Sequence, residues 1–171
     1  MAVVARPILR YHGGKWRRAP SIVSHVPEHR VYVEPFGGGA SVLLRKPRSY
    51  AEVYNDLDGE VVNLFRVLRD PDSASRLIES VALTPFARAE FDETYEAATD
   101  PVEAARRLCL RSHAGFGSAA MRSTVQGVPQ RTGFRSNTTR ARTTPAHDWA
   151  HFPDAVADVA ARMQGVVVER R

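Results

Sequence analysis

Apolar residues fall into short runs whose period changes along the chain. Arg30-Val31-Tyr32-Val33-Glu34 is a β-branched run of the length of a buried strand, and Pro35-Phe36-Gly37-Gly38-Gly39 cuts it off. Ala40, Val42, Leu43 and Leu44 then open a buried helix that Pro47 ends. Ala51 to Tyr54 reads as a second strand, Asn55-Asp56-Leu57-Asp58 as a turn or cap, and Val61, Leu64, Phe65 and Leu68 recur at the i, i+3, i+4, i+7 spacing of a helix. Ahead of this block, Pro7, Gly13, Gly14 and Pro20 make an irregular loop that becomes a short helix over Arg18 to His25.

From Asp70 to about Ser112 helical patterns take over. Asp100-Pro101-Val102-Glu103 has the order of a helix start, with an Asp cap, Pro at the first helical position and Glu at the third. Residues 113 to 147 differ, because Gly115, Gly117, Gly127, Pro129 and Gly133 punctuate a stretch rich in Ser, Thr and Arg, and a hairpin around Gly127 is the regular element expected there. So long a loop-rich segment inside a compact domain favours a binding role over a linker. Asp154 to Met163 is helical again with Val156, Val159, Ala160 and Met163 inward, Gly165 stops it, and Val166 to Glu169 forms a third strand.

A chain of 171 residues, 43% hydrophobic and 25% charged, fits one ordinary folded domain and excludes disordered, collagen-like and coiled-coil classes. No apolar run approaches the roughly 20 residues of a membrane span, and Arg6, Arg10, Lys15, Arg17 and Arg18 follow the first residues too closely for a signal peptide. A cytoplasmic protein is expected. The single Cys109 offers neither a disulfide nor a Cys-x-x-Cys metal pair and reads as a small buried apolar group. His147 and His151 share a helical spacing, but the flanking Pro145 and Pro153 point to a surface turn, and no metal is expected. Trp149 and Phe152 read as core.

The net charge of +5 favours an anionic partner, and its distribution sharpens that inference. Between Ala104 and His147 stand eight arginines (106, 107, 111, 122, 131, 135, 140 and 142) and no carboxylate, a composition that suits phosphate. Phe116 and Phe134, set among glycines and arginines, are candidates either to meet a base or to be buried in a small cluster. The glycine loop after the first strand lets the backbone approach a ligand closely, while Asp56, 22 positions beyond Glu34 at the end of the next strand, suits ribose hydroxyls. Together they look like a nucleoside-cofactor site, although the glycines do not follow G-x-G-x-x-G. Arg10-Tyr11-His12-Gly13-Gly14-Lys15-Trp16 lacks the first glycine of a phosphate loop and is informative only as a companion to that site.

Taken together, these motifs resemble the Dam-type (D12 class) DNA adenine N6-methyltransferases, which use S-adenosylmethionine. Tyr11-His12-Gly13-Gly14-Lys15 is similar to that family's N-terminal cofactor motif, Tyr32 to Val42 to its first cofactor motif, and Tyr54-Asn55-Asp56-Leu57-Asp58 to its acidic second one. The resemblance implies an α/β Rossmann-like S-adenosylmethionine-dependent methyltransferase fold, here incomplete, with a helical, loop-rich DNA-recognition insert. It implies cofactor contacts from Tyr11, Gly13, Gly14, Lys15, Glu34, Pro35, Phe36, Gly37, Gly38, Gly39 and Asp56. For double-stranded DNA the candidates are Arg122, Arg131, Phe134, Arg135, Asn137, Arg140 and Arg142. Residues 1–69 would begin the cofactor domain, 70–147 form the target-recognition region and 148–171 return to the cofactor domain. A bacterial or phage origin is implied as well.

The departure concerns catalysis. The family holds the target amine with an Asp-Pro-Pro-Tyr tetrapeptide, and no Pro-Pro occurs here; Asp70-Pro71 and Asp100-Pro101 stand in helix-start contexts. The expectation is an N-terminal portion of such an enzyme, inactive alone or half of a split enzyme, whose open sheet edge a second chain carrying the missing half, a homodimer pairing across it or a different local packing would cover. The alternatives are a non-catalytic DNA-binding or S-adenosylmethionine-binding remnant and a basic α/β protein for another nucleotide.

Overall fold

A computed structural model describes residues 4–117, 124–125, 128–129, 131–136 and 143–171. In chain order its elements are α1 (Ala19–Val23), β1 (Val31–Glu34), α2 (Ser41–Arg45), β2 (Ala51–Asn55), α3 (Gly59–Arg69), α4 (Pro71–Leu83), α5 (Arg88–Glu93), α6 (Pro101–Ala114), β3 (Thr124–Val125), β4 (Val128–Pro129), α7 (Pro145–Ala150), α8 (Phe152–Met163) and β5 (Val167–Glu169). The helix starts follow their capping chemistry. Asp58, Asp70 and Asp100 each precede a helix and accept backbone N–H groups of its first turn, as in Asp100 Oδ2 with Glu103 N at 2.9 Å, and prolines open α4 and α6.

Strands β1, β2 and β5 form a parallel sheet in the order β1-β2-β5, with Val33 opposite Val53 and Val53 opposite Val167. Alternation along the strands gives the sheet two unlike faces. Glu52, Tyr54 and Val168 are buried on one face, beneath α2, α3 and α8. The other face carries Val31, Val33 and Val167, which are 56%, 53% and 46% exposed. A mixed α/β architecture with a small parallel sheet is therefore present, and among the described residues the sheet has three strands and helices on one side. The hairpin expected around Gly127 corresponds to β3 paired with β4, Val125 opposite Val128, while Gly127 itself lies outside the described residues.

The helices share one core with the sheet. α6 packs on α3, α4 packs on α8, and a continuous apolar cluster runs from Ile8 through Phe65, Leu77 and Leu108 to Val168. The periodic residues Val61, Leu64, Phe65 and Leu68 of α3 are all fully buried, as are Cys109, Phe152 and Met163. Buried ion pairs fix how the layers meet. The Arg162 guanidinium of α8 grips Glu52 of β2 through two hydrogen bonds of 2.6 and 2.9 Å, and Lys46 Nζ reaches the same carboxylate at 2.8 Å. Burial alone would raise the Glu52 carboxyl, but these two cations hold it down to about 2. Among the described residues no helix is long and apolar enough to cross a membrane.

Candidate cofactor and DNA site

The glycine loop leaves the carboxyl end of β1 and is fastened on three sides. Gly37 N donates to Asn55 O at 2.9 Å, Gly38 N donates to Asp56 Oδ2 at 2.7 Å, and the buried Tyr54 hydroxyl donates to Gly38 O at 2.7 Å. Two aromatic rings explain why the loop needs glycine. A Cβ at Gly37 would fall inside the Tyr54 ring, and one at Gly38 would lie 2.8 Å from the Tyr11 ring, at a backbone φ of +49° that L side chains rarely adopt. Tyr11 of the N-terminal motif and Tyr54 of β2 therefore grip the same loop, and the two motifs form one structural unit. Ala40, at φ +51°, carries the left-handed turn on into α2.

Asp56 is already engaged. One oxygen holds the Gly38 N–H and the other accepts Asp58 N at 2.9 Å, so the acidic turn and the glycine loop are tied by a single carboxylate with lone pairs remaining on both oxygens. Glu34 turns inward to the start of α2, where it accepts Leu43 N at 3.1 Å. Burial pushes its carboxyl up to about 7 despite backbone N–H donors from Leu43 and Val42. Phe36 and Leu57, 85% and 65% exposed, flank the carboxyl ends of β1 and β2. Leu57 is not among the cofactor residues expected from the sequence, although it stands between Asp56 and Asp58 in the acidic motif read there.

The N-terminal motif forms a tight turn, with Gly14 N donating to Tyr11 O at 3.0 Å and Lys15 Nζ to Gly13 O at 2.5 Å. Arg10 N donates to Ser112 Oγ at 2.7 Å and ties this segment to the end of α6. As a result the motif faces the segment after α6 across an open groove of about 1030 Å³, lined by Tyr11, Gly13, Lys15, Ser41, Phe116 and Arg135 among others. Backbone pairing presents Phe116 there: Phe116 N donates to Gly133 O at 2.8 Å, Arg135 N donates to Ala114 O at 2.7 Å, and the Phe116 ring is 73% exposed. A second hollow, of about 670 Å³ near His29, Lys46 and Ser49, lies at the amino ends of the strands. Parallel α/β sheets bind ligands at the opposite, carboxyl end.

The basic segment is less open than its composition implies. Arg106 pairs with Glu103 at 2.7 Å and with Glu90 at 3.0 Å, Arg107 with Glu103 at 2.6 Å, and the buried Arg111 with Glu60 at 2.7 Å. Those carboxylates come from outside the run 104–147, so the absence of acids within it does not leave these three arginines unpaired. Arg131 sits over the Tyr95 ring and 3.5 Å from Glu96, and Arg135 donates to His113 O at 3.3 Å. Phe134 and Phe116 part company. The ring of Phe134 packs against Phe86 and Phe91 with Arg88 over it, so this DNA candidate is engaged in an aromatic cluster and only Phe116 stands out. Arg122, Asn137, Arg140 and Arg142 lie outside the described residues.

Two comparisons bear on identity. The family model described as D12 class N6 adenine-specific DNA methyltransferase matches residues 11–123, which include the N-terminal turn, the glycine loop, Asp56 and the start of the basic segment. No curated protein matches the chain.

Proposed function

The chain belongs to the D12 class N6 adenine-specific DNA methyltransferases, and from that premise we propose that it binds S-adenosylmethionine at the carboxyl end of its sheet and duplex DNA at the adjoining groove, in the service of adenine-N6 methylation. The observation that carries this reading is the cradle itself: a glycine loop kept bare between Tyr11 and Tyr54, with Asp56 at the end of the next strand. Its donor set fits the cofactor. Asp56 has acceptor capacity for ribose hydroxyls, Phe36 and Leu57 offer apolar surface for a purine, and the glycines admit close approach. Gly13, Gly14, Lys15, Pro35 and Glu34 complete the wall, Glu34 by holding the loop-to-helix junction rather than by reaching outward.

When bound, the cofactor supplies an electrophilic methyl group. This chain's residues hold it, exclude water from one side and present the groove in which a DNA strand lies beside it. Methyl transfer to an exocyclic amine further requires the base out of the stack and its nitrogen held in line, which is a matter of positioning. The 171 residues contain no Pro-Pro turn to supply that hold. We assign it to a further polypeptide segment bearing such a turn, docked along the side of β1 that is unpaired among the described residues, beside the exposed Val31 and Val33. The missing tetrapeptide also favours a second reading, a DNA-binding or cofactor-binding protein without catalysis. Cofactor binding and duplex binding by the isolated protein test what the two readings share, and methyl incorporation into DNA in the presence of a polypeptide bearing Asp-Pro-Pro-Tyr separates them.

A further inference from the structure

We propose that Arg17 and Arg18, directly after the N-terminal cofactor motif, form a second phosphate-binding wall of the groove, opposite the Phe116 loop, so that the duplex is held from both sides. The inference rests on the DNA-binding reading above and adds residues outside the basic segment 104–147. Both arginines line the groove, both are exposed, and no carboxylate lines it with them.

Their neighbours in the groove have partners on the protein. Arg10 pairs with Asp148 at 3.3 Å, Lys15 donates to Gly13 O and Arg135 donates to His113 O. Among the described residues, the side chains of Arg17 and Arg18 make no hydrogen bond, ion pair or ring contact. Two adjacent unneutralised guanidiniums facing a groove constitute a site for paired anionic oxygens, and arginine matches phosphate geometry. The backbone that carries them is fixed. Arg18 N and Ala19 N both donate to Lys15 O, at 2.8 and 2.7 Å, and the Arg45 guanidinium covers the Trp16 ring, so the pair is displayed on a turn of set shape.

The test compares duplex binding across a salt series for the unaltered protein, R17A/R18A and R66A/R69A. Arg66 and Arg69 are exposed on α3, make no side-chain hydrogen bond or ion pair among the described residues, and do not line the groove, so that variant loses the same formal charge elsewhere. Each phosphate contact contributes about 0.9 to the log-log salt slope, so R17A/R18A should reduce it by up to about 1.8 while R66A/R69A leaves it near that of the unaltered protein. Binding of S-adenosylhomocysteine by R17A/R18A should be unchanged, which shows that the fold and the cradle persist. An unchanged slope in R17A/R18A, or equal losses in both variants, overturns the inference and leaves the DNA-binding reading intact. Absence of duplex binding by the unaltered protein at low salt overturns that reading and this inference with it.

Discussion

The phenol of Tyr54 donates to the carbonyl of Gly38 at 2.7 Å and fastens the middle of the glycine loop to β2. Tyr54 is fully buried against Phe65, so the bond is shielded from water and its loss leaves the carbonyl without that donor. Tyr54→Phe keeps the ring and deletes only the donor. It should cost about 1–3 kcal/mol of stability in urea unfolding and weaken cofactor binding. Gly38→Ala should weaken binding more, because it adds a left-handed backbone penalty and a clash with Tyr11; calorimetry ranks the two variants.

Stability should carry a pH signature of Glu34. Its carboxyl is raised from 4.5 to about 7, so in that window the folded state binds more protons than the unfolded chain and stability falls as pH rises. His113 works in the opposite sense, since burial lowers it from 6.5 to about 4 and stability rises as pH climbs through that range. The two trends oppose each other in the wild-type protein. Glu34→Gln removes only the first, so the variant should gain stability relative to wild type from about pH 5 to about pH 8 in urea unfolding. A constant difference across that range would show that Glu34 does not titrate there.

Arginines of the basic segment should divide by role. Arg111, buried and paired with Glu60 and the carbonyl of Thr94, is a structural tie; Arg111→Ala should destabilise by about 3 kcal/mol, the low end for a buried pair because Glu60 is partly exposed. Arg131→Ala with Arg135→Ala should instead flatten the salt dependence of duplex binding, by about 0.9 for each phosphate that the variant no longer neutralises. Chemical denaturation and a salt titration read the two effects separately.

Much of this is legible in the sequence. The strand, glycine loop, helix, strand, acidic turn and helix over residues 31–69 appear within a residue or two of their expected places, because β-branched runs, Asp caps and i, i+3, i+4 apolar spacing are local signals. The pairing of Tyr11 and Tyr54 around the loop is not legible, since it joins residues far apart in sequence. Nor is the neutralisation of Arg106, Arg107 and Arg111: Glu60, Glu90 and Glu103 stand outside the segment 104–147, and only folding brings Glu60 and Glu90 to them. The same holds for Phe134, whose glycine-rich surroundings give no sign of Phe86 and Phe91.

Methyl transfer by these 171 residues alone should be undetectable. Positioning of the kind an amine-holding pocket provides is worth roughly 7–11 kcal/mol of barrier, and no Pro-Pro turn is present to supply it. Tritiated methyl incorporation into unmethylated DNA should appear only when a polypeptide bearing Asp-Pro-Pro-Tyr is added. Robust incorporation without it would place a catalytic group within the present chain.

Titration calorimetry of the isolated protein with S-adenosylmethionine and with S-adenosylhomocysteine, repeated on Asp56→Ala, tests the cofactor cradle most directly. Asp56 ties the Gly38 N–H to the acidic turn and retains acceptor capacity for a ribose. Its removal should weaken binding by about 1.5–3 kcal/mol, the range of a hydrogen bond to a charged group. Measurable binding by the wild-type protein with that loss in the variant is the expected result; no binding by either, or equal binding by both, would contradict the assignment of this loop and this aspartate as the cofactor site.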